Sequence, residues 1–166
     1  MIASLPELVK KHRGQGVLVD SNLLLLLFIG SYEKELIPKF KRTDKFLIED
    51  FETLLNFLNF FQQIVTTPNV LTEVSNLANQ LPEHTKAGFY SLFHSLIAHW
   101  NEQFISTSRL LSDAQLRILG IADLSISALA ARPILVLTDD FRLAGKLQQR
   151  GLDVVNFNHL RSYIWE

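Results

Sequence analysis

Apolar positions fall along this chain in two textures: short unbroken runs, and longer stretches with apolar residues three and four apart. The short runs are Val17-Leu18-Val19, Ile64-Val65-Thr66, Ile134-Leu135-Val136-Leu137-Thr138 and Val154-Val155-Asn156-Phe157. They read as buried strands over 17–20, 64–66, 134–138 and 154–157, because a strand covered on both faces has no polar alternation. A weaker run, Phe104-Ile105, is a candidate third strand. Between these runs the period changes to that of helices. Residues 5–13 place Leu5, Leu8 and Val9 on one side before Gly14-Gln15-Gly16 breaks the chain. Leu23 to Ile29 is apolar throughout, so this helix is expected to be buried all round, capped by Ser21 or Asn22 and stopped by Gly30. Residues 50–62 carry Phe51, Leu54, Leu55, Leu58 and Phe61 at helical spacing, and Phe57 and Phe60 widen that stripe enough to face two partners, one of them a second subunit.

Thr67-Pro68 opens the next helix, with proline in its favoured first position, and Pro82 closes it after about Leu81. A long helix is expected over 83–100, with Phe89, Leu92, Phe93, Leu96, Ile97 and Trp100 as its stripe. Ser112 suits a cap for a helix to Leu119, and Gly120 interrupts before a small-residue helix over 122–131. Further helices are expected over 141–150, closed by Gly151, and over 158–165. Strands alternating with helices predict an α/β fold: a three-layer sandwich with a central, mostly parallel sheet, right-handed crossovers and helices on both faces. No internal repeat, low-complexity tract or linker divides the chain, so residues 1–166 read as a single domain.

Composition narrows the chemistry. The chain has 166 residues, 48% of them hydrophobic and 20% charged, which suits a sizeable core and excludes general disorder. It has no cysteine, which removes disulfides, thiolate metal sites and cysteine nucleophiles and points to a cytoplasmic protein. The Leu23–Ile29 run is far shorter than the roughly 20 residues a membrane helix needs. The net charge of −1 gives no general attraction to nucleic acid, so any such binding must come from local basic patches. One mixed segment, 31–49, interleaves Lys34, Lys39, Lys41, Arg42 and Lys45 with Tyr32, Phe40 and Phe46. Basic and aromatic groups together suit phosphate and bases, but Glu33, Glu35 and Asp44 dilute the charge and favour a solvated loop anchored by its aromatics.

The chemistry-bearing pattern is acidic. Asp20 follows the first strand and precedes a helix, and Asp139-Asp140 repeats that placement after Leu137-Thr138. Parallel strands share one carboxyl edge, where ligand crevices open. Asp123 lies in the first turn of a helix that is apolar on most faces, where a lone carboxylate would be costly. Glu73 flanks the stripe of Val70, Val74 and Leu77. Taken singly, each acid suits a helix cap or a helix dipole. Converging, they would repel, raise one another's pKa values and call for a divalent ion; oxygen-only ligands favour Mg²⁺ or Mn²⁺. Other chemistries fit poorly. Asn22 stands where a haloacid-dehalogenase-type phosphatase would want its second acid, the paired acids and late lysine of a receiver are missing, His94 and His99 lack ligand spacing, and no glycine-rich phosphate loop occurs.

The motifs Val19-Asp20-Ser21-Asn22-Leu23-Leu24, Pro68-Asn69-Val70-Leu71-Thr72-Glu73-Val74, Ala122-Asp123-Leu124-Ser125-Ile126 and Leu137-Thr138-Asp139-Asp140 together resemble the PIN-domain family, over about residues 17–157. The resemblance implies a metal-dependent endoribonuclease of single-stranded RNA leaving 5′-phosphate and 3′-hydroxyl ends, often the toxin of a toxin–antitoxin pair. It implies Asp20, Glu73, Asp123 and Asp140 as the catalytic and metal-binding quartet, supported by Asn22 and Thr138, with Asp139 competing for the fourth place. Arg142 and Lys146 would hold the substrate backbone, or form a solvated helix face. Residues 31–62 then read as a helical insertion, available to a homodimer partner, a neutralising antitoxin or the substrate groove. The alternative is a catalytically silent module of the same fold that binds protein or RNA.

Overall fold

The computed structural model describes residues 3–112 and 118–162. Its strands are β1 (Val17–Val19), β2 (Ile64–Thr66), β3 (Asn101–Glu102), β4 (Leu135–Thr138) and β5 (Val154–Asn156). They form one all-parallel sheet in the order β3-β2-β1-β4-β5, with Leu18 opposite both Val65 and Val136. Among the described residues the helices are α1 (Leu5–His12), α2 (Ser21–Tyr32), α3 (Ile48–Leu58), α4 (Pro68–Ala78), α5 (Glu83–Ile97), α6 (Thr107–Leu110), α7 (Ile121–Leu129), α8 (Phe141–Gln149) and α9 (Phe157–Ser162). They flank the sheet to give the expected three-layer α/β sandwich. None is long and apolar enough to cross a membrane.

β1 sits at the centre and is completely buried, which is why it reads as an unbroken apolar run. α2 leaves it at once and is buried from Leu23 to Gly30, packed against α3, α4 and α5. Gly30 does not stop this helix, which continues to Tyr32. The glycine is instead where the Phe51 ring of α3 lies: a Cβ at residue 30 would stand 2.2 Å from Phe51 Cδ2. Gly30→Ala therefore sets a propensity gain of about 1 kcal/mol against an overpacking cost of about 1–3 kcal/mol. A clash with a ring held in the core decides the sign, and urea denaturation should show a net loss of stability.

The third strand also differs from expectation. It is Asn101–Glu102, paired with Val65 and Thr66, and Gln103 N–H donates to Thr66 O at 2.9 Å. Phe104 is outside the strand and 77% exposed. This two-residue edge strand is held by backbone bonds and by its own polar side chain, Asn101 Nδ2 donating to Gln63 Oε1 at 3.1 Å, so polar residues serve it. The helix expected after Ser112 lies largely outside the described residues. α4 and α5 end at Ala78 and Ile97, earlier than their patterns suggest.

The 31–49 segment folds as a short 3-10 turn, Lys34–Leu36, and successive turns. Phe40 and Phe46 are buried, so they anchor the segment to the core and neither ring is free to stack on a base. At the opposite end of the sheet, the buried His12 ring meets Pro133 O at 3.1 Å and Asp153 Oδ2 at 2.7 Å, tying α1 to the chain beside β4 and β5.

Candidate functional site

The chain leaves β1 towards β2 and β3, then returns to β4 on the other side of β1. Strand order thus reverses between β1 and β4, and a crevice opens outside their carboxyl ends at such a point. Asp20 stands directly after β1, and Asp139 and Asp140 directly after β4. The backbone N–H of Asp20 still donates to Leu137 O at 3.0 Å, so the ladder itself holds the two strand ends together.

Asp20, rather than Ser21 or Asn22, caps α2: its Oδ1 accepts from Leu23 N–H at 3.0 Å. Its Oδ2 accepts from the Thr138 hydroxyl and from Asp139 N–H at 3.0 Å. The Thr138 hydroxyl in turn accepts from Asp140 N–H at 3.0 Å. Thr138 is fully buried and therefore fixes both the Asp20 carboxylate and the turn after β4. Burial raises the pKa of Asp20 well above the ordinary carboxylate range, the nearby Asp139 charge adds to that, and the three hydrogen bonds pull the other way.

Asp140 caps α8 with Oδ1, accepting from Arg142 N–H at 2.7 Å and Leu143 N–H at 3.2 Å. Asp123, in the first turn of α7, is half-buried and its pKa is pushed up to about 6, first by burial and then by the charges of Glu73 and Asp140, against Arg142 and Lys146. Glu73 is exposed on α4 and lines a cleft of about 490 Å³ with Asn69, Thr72, Asn76 and Ile121. α4 and α7 are pinned together beneath these acids by the buried Thr67 and Ser125 hydroxyls, 2.8 Å apart. Thr67 also caps α4, accepting from Val70 N–H at 3.1 Å.

The acids therefore arrive as two adjoining groups. Asp20 and Asp139 form one, Asp123 with Glu73 and Asp140 the other, and Thr138 joins them by bonding Asp20 and the Asp140 backbone. Among the described residues no three carboxylates or imidazoles are gathered tightly enough to ligate one ion as they stand. Asp139 and Asp140 differ in employment. Asp139 Oδ2 pairs with Lys45 at 2.5 Å while its Oδ1 is buried without a hydrogen-bond partner, and Asp140 is exposed. Asn22 is half-buried on the first turn of α2. Arg142 is exposed, whereas the Lys146 ammonium is buried and makes no hydrogen bond.

Sequence reading did not assign Lys45 to this site, nor Asn158, whose Nδ2 donates to Asp139 O at 2.8 Å. The donor set suits a hard divalent ion: every candidate ligand is an oxygen, one buried carboxylate oxygen has no partner, and neighbouring carboxylates help raise the pKa values of Asp20 and Asp123. Comparison with protein families finds no matching family model, and the sequence matches no curated protein.

These shifts set the site's own contribution to the pH dependence of the metal-free protein. The folded pKa of Asp123 lies above its ordinary value of 3.8, so between about 4 and about 6 the folded chain keeps a proton that the unfolded chain has released. Stability should fall as pH rises through that window. Asp20, raised in the same direction, carries the decline higher. Asp123→Asn cannot ionise; after allowance for solvent screening it should raise metal-free stability at pH 7 by on the order of 1 kcal/mol and flatten the profile. Urea denaturation at pH 4.5 and pH 7 checks both.

Proposed function

We propose that this protein is a Mg²⁺- or Mn²⁺-dependent endoribonuclease that hydrolyses phosphodiester bonds of single-stranded RNA in the manner of a PIN domain. The observation that carries the reading is that carboxylates from four separate segments form two adjoining groups beside the carboxyl ends of β1 and β4, with the pKa values of Asp20 and Asp123 raised. Ion-free carboxylates in that arrangement oppose folding, so the arrangement favours a cation-binding role.

Asp20, Asp123 and Asp140 would hold the ion, with Glu73 completing the set. A divalent ion there supplies charge to polarise the phosphate and to lower the pKa of an attacking water. Thr138 keeps the Asp20 carboxylate in one orientation, as hydrogen bonds to metal ligands commonly do. Glu73, solvent-exposed and near enough to raise the pKa of Asp123, would orient the attacking water or complete the second ion site. Arg142 and Lys146 both favour the charged form of Asp123; the exposed Arg142 would hold the substrate phosphate, whereas the buried Lys146 ammonium is not open to substrate in this structure.

A second reading, a silent module that binds protein or RNA, is favoured by one observation: Asp139 and Asp140 already serve an ion pair and a helix cap. The nuclease reading extends to a cytoplasmic toxin with an inhibitory protein partner and to a homodimer. Support for a partner surface is the apolar groove of Leu5, Pro6, Val9, Phe57 and the 56% exposed Phe60.

The deciding experiment incubates the protein with mixed single-stranded RNA in Mg²⁺, Mn²⁺ or EDTA and analyses the ends. Metal-dependent cleavage to 5′-phosphate products supports the nuclease. Cyclic 2′,3′-phosphate ends, formed in EDTA as well, contradict hydrolysis by an activated water; no cleavage in any condition favours the binding module.

A further inference from the structure

Lys45 is the one residue of the 31–62 segment whose charged group reaches the acid site. Its Nζ lies 2.5 Å from Asp139 Oδ2, and the Asp139 side chain is only 6% exposed. The other oxygen of that carboxylate is buried and has no hydrogen-bond partner. The acid is thus half-satisfied, by a cation borrowed from 94 positions away. The adjoining Asp20 carboxylate is itself buried and bonds the Asp139 backbone N–H.

The lysine is delivered by a rigid segment. Fully buried Thr43 donates to Ile37 O at 2.9 Å, which closes the turns that precede it. Phe46, the next residue, is buried edge-on to Phe157 with centroids 6.4 Å apart, and Lys45 Nζ lies 4.9 Å from the Phe46 ring centre. Arg161 approaches the same ring and bonds Asp50 at 2.8 Å. The backbone on each side of Lys45 is therefore anchored, while its side chain is 51% exposed, with solvent beside the ion pair. An anchored base with a solvent-accessible charged tip suits a cation that can be exchanged.

We propose that Lys45 is a tethered counter-cation of the acid site: it holds Asp139 in place in the metal-free protein and gives way to a divalent cation. This rests on the reading of the acids as a cation site, but concerns only occupancy of that site, not RNA chemistry. An ammonium on Asp139 and a divalent ion on the adjoining carboxylates oppose each other by mutual repulsion. Lys45 is accordingly a positioning residue.

The test is Mn²⁺ binding by calorimetry at pH 7, with melting curves, for the wild type, Lys45→Met and Lys45→Arg. Lys45→Met should bind Mn²⁺ about two- to fivefold tighter, the scale of one partly exposed ion pair, and melt lower without metal. Lys45→Arg, which keeps the charge, should return both values towards wild type. A purely structural lysine would lower the melting temperature and leave the affinity unchanged. Unchanged or weaker Mn²⁺ affinity in folded Lys45→Met, including no binding in either protein, overturns the proposal. If the wild type cleaves RNA while Lys45→Met shows unaltered affinity, the counter-cation fails and the nuclease stands. Tighter Mn²⁺ binding with no RNA cleavage by any of the three leaves the counter-cation standing and removes the nuclease.

Discussion

Asp20→Asn should lower metal-dependent RNA cleavage by about 10²–10³-fold, a loss larger than the 10–100-fold typical of groups that merely support a ligand. Asparagine preserves shape but removes the charge on which an ion depends. It also turns one carboxylate oxygen into a donor. At the Oδ1 place that donor faces Leu23 N–H; at the Oδ2 place it faces Asp139 N–H and the Thr138 hydroxyl. Either choice leaves a buried donor opposed, costing about 1–3 kcal/mol. The variant is therefore assayed below its own melting transition. The second readout is metal-induced stabilisation, which for a wild-type site at a hundredfold excess over Kd is about 2.7 kcal/mol. In Asp20→Asn this gain should largely vanish. Stabilisation retained in full would place the ion elsewhere, even if cleavage were lost.

The largest expected effect on stability is at Phe28. This α2 ring is fully buried, with centroids 4.8 Å from Phe93, 5.3 Å from Trp100 and 6.3 Å from Phe89. It joins the helix that Asp20 caps to α5 and to the chain just before β3. Phe28→Ala removes its apolar contacts and opens a cavity whose aromatic walls are held by their own neighbours, so little collapse can compensate. The loss should be about 3–5 kcal/mol, set against a total of about 5–15 kcal/mol for an ordinary domain. Urea denaturation should show a much lower midpoint with an unchanged slope. A loss near 1 kcal/mol would mean that α5 closes over the gap and that the aromatic cluster is adaptable.

These effects trace to features of unequal visibility in the sequence. β1, β2, β4 and β5 were legible because burial on both faces makes a strand uniformly apolar, and their boundaries fall within a residue of the runs. Placement of Asp20 and Asp140 at one sheet edge follows from parallel pairing, which the strand-helix alternation implies. Asp123 and Glu73 were harder, since neither follows a strand. Their juxtaposition depends on how α4 and α7 pack, and the Thr67–Ser125 contact that sets it joins hydroxyls 58 positions apart. β3 was misplaced by two apolar residues, because an edge strand of Asn and Glu carries no hydrophobic signal. Gly30 read as a helix stop because a glycine required by a ring on another helix looks the same in sequence as one required by a turn. The Lys45–Asp139 pair had no local signal at all: lysine in a mixed-charge segment is ordinarily solvated, and only the tertiary fold brings it to the acid.

The most direct test of the central claim is anomalous diffraction from crystals of the wild-type protein soaked in Mn²⁺. The account predicts an anomalous peak in the crevice between the carboxyl ends of β1 and β4, within ligand distance of Asp20 and of at least one of Asp123 and Asp140. A Mn²⁺ peak confined to other surfaces, with that crevice empty at saturating concentration, would contradict it.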